Sequence, residues 1–163
     1  VAVRIPAWSK ITMVTVNGQA VADVRPGSYL TVSRTWKEGD KIALNFDMRG
    51  RLTELNGYQA IERGPVVLAR DTRLGEGFVD ETCVVQTSGG YVELMPVTDK
   101  PAGVWMAFSA PMKLGTDTEG RAAGIVQVPL CDFASAGNTW HPAVRYRVWL
   151  RRTFDPISDP WVE

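Results

Sequence analysis

Apolar and polar residues alternate with a period of two along most of the chain. That spacing puts one face of a strand into a core and the other toward solvent. Val1, Val3 and Ile5 alternate with Ala2 and Arg4. Residues 12–16 run into Asn17-Gly18, a dipeptide suited to a type I′ turn because both central positions need positive φ, and 19–21 can return from it. A turn at Pro26-Gly27 precedes the β-branched and aromatic run 28–32. Past Gly39, residues Ile42, Leu44 and Phe46 share one face, and Lys41, Ala43 and Asn45 share the other. The first third therefore predicts a series of antiparallel strands.

The same pattern predicts strands at 51–55, 65–70, 79–86, 91–95, 104–108 and 124–128, with an exposed polar loop at 113–120. Residues 143–150 predict a closing strand, with Val144, Tyr146, Val148 and Leu150 inward and Arg145, Arg147 and Trp149 outward. No window keeps an apolar period of 3.6 for three turns; only Ala134-Ser135-Ala136 suits a single helical turn. Short strands punctuated by Pro and Gly predict an all-β fold, as a sandwich, jelly roll or barrel; the expected class is an antiparallel, jelly-roll-like β-sandwich, with residues 1–163 as a single domain.

Composition narrows the picture. A chain of 163 residues buries about 69% of its extended area, enough for a core without metal or disulfide. Eighteen basic residues balance eighteen acidic ones, which gives no sign of nucleic acid or an anionic membrane as partner. No apolar run reaches the roughly 20 residues of a membrane span, so no membrane insertion is expected. The first residue is Val1 in what reads as a strand already under way, which suggests a fragment of a larger protein. Cys83 and Cys131 both lie in apolar settings; buried free thiols are the first reading, and a disulfide between them stays open.

Motifs with chemistry are few, and no metal site or cofactor is expected. There is no phosphate-binding glycine loop and no His-Glu metalloprotease pair. The single histidine, His141, reads as solvated or structurally bonded. A Cys131–His141 pair is disfavoured, since a reactive thiolate needs exposure and positive potential. Asp117, Glu119 and Asp132 lack calcium-loop spacing. Arg70, Asp71 and Arg73 are expected to hold a loop by ion pairing. Gly64 and Pro65 are expected to form a structural turn, glycine giving backbone freedom and proline fixing φ at the mouth of a strand. Of the six tryptophans, Trp105 reads as core. Trp149, Arg147, Arg145 and Trp140 are candidates for contact with a neighbouring domain or with sugar, because arginines flanking a tryptophan suit a boundary better than a core.

An ordered set of segments carries a family resemblance: Arg4-Ile5-Pro6-Ala7-Trp8, Val14-Thr15-Val16-Asn17-Gly18, Gly27-Ser28-Tyr29-Leu30, Arg34-Thr35-Trp36-Lys37-Glu38-Gly39-Asp40, Arg63-Gly64-Pro65-Val66-Val67-Leu68 and Tyr146-Arg147-Val148-Trp149-Leu150. Together they resemble the C-terminal β-sandwich region of the β-L-arabinofuranosidase-like glycoside hydrolases. The resemblance implies an α/α barrel that carries the active site, with sandwich material following it. It implies that the family's metal-binding cysteines and cysteine nucleophile lie in or beside that barrel. The flanks of Cys83 and Cys131 do not match them. This chain would then be a non-catalytic accessory domain packed on the barrel of the same polypeptide, or alternatively a carbohydrate-binding module for plant or microbial polysaccharide. A periplasmic or secreted bacterial location is implied by the same resemblance. The stretch Ala69-Arg70-Asp71-Thr72-Arg73 departs from the commoner family pattern.

Overall fold

The computed structural model describes residues 1–75, 78–115 and 124–153. The fold is all-β and antiparallel, of the jelly-roll-like β-sandwich class. Residues 1–163, expected as one domain, divide by internal packing into two compact units, Val1–Met48 and Arg49–Glu163.

In the first unit, β1 (Ala2–Arg4) pairs with β4 (Tyr29–Thr31). β2 (Met13–Val16) lies between β3 (Gln19–Ala20) and β5 (Ile42–Asn45). Asn17 and Gly18 have φ of +51° and +81°, the left-handed pair that a type I′ turn requires. The Asn17 side chain also links that turn to a second one. Its Nδ2 donates to Asp40 Oδ1 at 2.7 Å, and its Oδ1 accepts from the Lys41 N–H at 2.8 Å. Alternation buries Val14 and Val16 and exposes Met13. Ile5, Val14 and Leu30 form this unit's core.

The second unit opens with β6 (Gly50–Leu55), β7 (Tyr58–Arg63) and β8 (Val66–Asp71). The β6–β7 turn is Asn56-Gly57, with φ of +48° and +81°. The β7–β8 turn is Gly64-Pro65, with Gly64 at φ +58°; glycine first is the type II′ pattern. A 3₁₀ turn, Thr72–Leu74, follows β8. Then come β9 (Cys83–Val85), β10 (Met95–Pro96), β11 (Ala107–Leu114), β12 (Ile125–Asp132), β13 (Tyr146–Arg147) and β14 (Leu150–Arg151). One sheet runs β10-β11-β12-β8-β7-β14, with β9 on β11, β6 on β7 and β13 on β8. Its core gathers Ile61, Leu68, Met112, Val128, Leu130 and Leu150 with their neighbours.

Three sequence expectations change here. β11 runs on to Leu114, past the expected strand end at 108 and into the first two residues of the loop expected at 113–120, of which 116–120 lie outside the described residues. Pro111 falls between β10, which pairs as far as Ser109, and β9, which pairs from Met112. Its missing N–H therefore interrupts no ladder on that edge. The expected strand 143–150 is two short strands, β13 on β8 and β14 on β7, with a bend between them. The bend leaves Tyr146 40% exposed instead of buried, while Leu150 enters the core at 4%. Trp105, expected in the core, is 72% exposed. It precedes β11, and its neighbour Val104 takes the inward position.

Candidate functional site

Two polar assemblies in the second unit organise its loops. The first centres on Asp71, the last residue of β8, which is fully buried. Its carboxylate caps the 3₁₀ turn by accepting the Arg73 N–H at 2.9 Å. It also accepts Arg73 Nη2 at 2.7 Å, Arg73 Nε at 3.0 Å and the Gly137 N–H at 2.9 Å. Burial pushes this carboxyl up, but the hydrogen bonds from Arg73 and Gly137 outweigh it and hold the group below its ordinary range. Arg73 reaches on to Ser135 O at 2.6 Å and Asn138 Oδ1 at 2.7 Å. Ser135 in turn donates to buried Asp132 and accepts the Trp105 N–H. The loops at 103–106 and 132–138 are thus tied to the end of β8.

Arg70 precedes Asp71 on β8 and holds a second loop. Alternation along β8 separates it from Asp71. Its buried guanidinium donates to the carbonyls of Phe78 at 3.1 Å and Glu81 at 3.2 Å. It therefore holds the loop that carries Asp80.

The second assembly is a cleft of about 290 Å³ lined by Tyr58, Phe78, Asp80, Arg147, Trp149 and Arg151, among others. Arg147, at the end of β13, and Trp149, in the bend that follows it, both line this cleft. Arg147 pairs with Asp80. Arg151 lies opposite Tyr58 in register and stacks over its ring, 5.7 Å from the centroid. Trp149 and Tyr58 also line an adjoining apolar hollow with Leu55 and Asn56. The structure thus brings Trp149 and Arg147 together and adds Tyr58 and Asp80, which sequence reasoning had not joined to them. The Asn56-Gly57 turn, readable by the same rule as Asn17-Gly18, would have placed Tyr58 at the hairpin mouth.

The remaining candidates sit elsewhere. Arg145 bonds through its backbone to Thr72, with both N–H···O contacts at 3.0–3.1 Å. Trp140 is 91% exposed at φ +55°, and His141 Nδ1 accepts the Ala143 N–H. Cys83 and Cys131 are buried free thiols. Asp117, Glu119 and Trp161 lie outside the described residues. Among the described residues, no group of three or more His, Cys, Asp or Glu is placed to hold a metal. No helix among them is long and apolar enough to cross a membrane.

Residues 1–48 match the family described as "Beta-L-arabinofuranosidase, GH127 middle domain". The match ends at Met48, where the first compact unit also ends. A solved glycoside hydrolase is 24% identical with a TM-score of 0.73, over 94% of this chain and 27% of that one. A GH127 beta-arabinofuranosidase is 25% identical with a TM-score of 0.62, over 86% of this chain and 23% of that one. A GH127 beta-L-arabinofuranosidase from Geobacillus stearothermophilus T6 is 21% identical with a TM-score of 0.65, over 94% of this chain and 26% of that one. No curated protein matches the chain. The chain thus carries a fold found in GH127 enzymes and spans about a quarter of their length. The matched family is described as a middle domain, whereas the sequence resemblance pointed to the C-terminal region.

Proposed function

We propose that this chain is a non-catalytic β-sandwich portion of a GH127-type glycoside hydrolase, one that packs on an α/α-barrel catalytic domain of the same polypeptide and stabilises it. The observation that carries this reading is the asymmetry of the structural match, 94% of this chain against 27% of a glycoside hydrolase. A domain of this fold recurs inside larger enzymes, and most of each enzyme's length is left for the catalytic machinery. On this reading the parent acts on plant or microbial polysaccharide in the periplasm or outside a bacterial cell, and the sandwich sits C-terminal to the barrel.

The test is to produce the catalytic portion and residues 1–163 as separate chains. The reading expects them to co-elute as a 1:1 complex and the catalytic portion to melt at a higher temperature in that complex. Independent elution, with unchanged melting and turnover of the catalytic portion, would overturn it. So would hydrolysis of aryl arabinofuranosides by residues 1–163 alone.

A further inference from the structure

We propose that the cleft between Trp149 and the Asp80–Arg147 pair is a sugar subsite, and that it takes one furanose or pyranose ring of a glycan chain. This rests on the reading of the chain as part of a glycan-acting enzyme. A sugar ring has an apolar C–H face and a rim of hydroxyls, so its site needs an aromatic plane and, beside it, fixed donors and acceptors. Trp149 and Tyr58 supply the plane, and Arg147 and Asp80 supply the polar edge. The Asp80–Arg147 pair neutralises itself, and Arg151, held against the Tyr58 ring and hydroxyl, adds further N–H donors for sugar hydroxyls on the opposite wall.

The site is built before any ligand arrives. Buried Arg70 fixes the carbonyls on both sides of Asp80. Leu150, the residue after Trp149, is 4% exposed and anchors the start of β14 in the core. The register of Arg151 with Tyr58 sets the opposite wall. A cleft of about 290 Å³ admits one ring. The adjoining hollow at Leu55 and Asn56 shares Trp149 and Tyr58, and it gives the next ring of the chain an apolar path.

The experiment is an NMR titration of the chain with methyl β-L-arabinofuranoside, methyl β-D-galactopyranoside and arabinan oligosaccharides. It follows the Trp149 indole N–H, assigned by its loss in Trp149→Phe. We expect saturable shifts with millimolar affinity, tighter for oligosaccharides than for single sugars. Trp149→Ala should weaken binding about two- to tenfold, the scale of one aromatic stacking contact, and Trp140→Ala should leave it unchanged. Asp80→Asn, which keeps the aromatic wall, should weaken it severalfold and serves if Trp149→Ala does not fold. No saturable shift with any probe would overturn the site, as would undiminished binding by a folded Trp149→Ala. Failure here with intact association to the catalytic portion removes the subsite and leaves the accessory role standing.

Discussion

Asp71 and Arg73 are two residues apart, and their side chains close a fork inside the protein, with Nη2–Oδ2 at 2.7 Å and Nε–Oδ1 at 3.0 Å. The Asp71 side chain is fully buried and that of Arg73 is 10% exposed. Neither charge could be buried alone, because each needs the other to offset its lost hydration. Asp71→Asn keeps the shape and removes the charge. It should lower stability in urea melts by about 3–5 kcal/mol, the scale for breaking a buried pair. A loss under about 0.5 kcal/mol, as for an ordinary surface change, would show that the fork does not hold the loops.

The same pair sets an acid dependence. Burial raises the Asp71 carboxyl, and the bonds from Arg73 and Gly137 more than reverse this, so its folded pKa lies below the unfolded value near 3.8. The folded state therefore binds the proton less readily than the unfolded state. The stabilisation is fully present above the unfolded pKa and is lost as pH falls through the folded one. The stability gap between the parent and Asp71→Asn should be constant from about pH 8 to pH 5 and shrink below about pH 4. A gap that widens with acid would reverse the assignment.

Period-two alternation made the fold class legible, because strands such as β2 and β11 bury alternate residues over much of their length. Turn chemistry was legible where dihedrals demand it, at Asn17-Gly18 and Gly64. What stayed hidden depends on partners distant in sequence. The strand expected to end at 108 runs on through Pro111, which the edge neighbours on either side of that residue allow. Gln59 reads as a surface residue, yet it is buried, and its Oε1 accepts the Val85 N–H at 2.9 Å. Residues 143–150 read as one strand because a switch of partner from β8 to β7 leaves no mark in the local pattern. The cleft joined Trp149 to Asp80 and Tyr58 through long-range pairing, which no spacing rule supplies.

Gly50 is required by closeness and not by φ. A Cβ there would stand 2.5 Å from the Val92 carbonyl oxygen and 2.9 Å from Leu94 Cδ1. The obstacle includes backbone, and Val92 donates its N–H to Gly50 O at 2.9 Å. Gly50→Ala must push that contact apart and should cost about 1–3 kcal/mol, the range for overpacking. Gly57→Ala meets no atom within 4 Å but sits at φ +81°, so its cost is left-handed strain alone, about 1 kcal/mol. Urea melts of the two variants separate the mechanisms, and equal, negligible losses would refute both.

The cysteines should be inert. Cys83 pairs with Leu114 and Cys131 with Ala107, seven residues apart along β11. At about 3.3 Å per residue this far exceeds the roughly 7 Å Cα separation a disulfide can bridge. Burial first, then the charges of Asp71 and Asp132, pushes the Cys131 thiol up to about 12. Iodoacetamide near pH 8 should leave the native chain unmodified and label both thiols in urea, as mass spectrometry would read. Rapid labelling of Cys131 in the native state would contradict its burial.

Leu150 and Trp149 are adjacent and should behave oppositely. Leu150 is 4% exposed in the main core beside Ile61 and Leu68, whereas Trp149 is 43% exposed on the cleft wall. Leu150→Ala removes buried methyl groups and leaves a cavity, at a cost of about 2–4 kcal/mol. Trp149→Ala removes a larger side chain from a surface that water already reaches, so it should cost about 1 kcal/mol or less. Val148 is only partly buried, so Val148→Asp should fall between the two, its charge reaching water at part of the full burial penalty. The measurement is a set of urea melts of the three variants at one pH. If Trp149→Ala proves the most destabilising, the pairing of Leu150 with Gln59 is wrong by one residue. The two side chains then exchange faces, and the sugar subsite loses its aromatic wall.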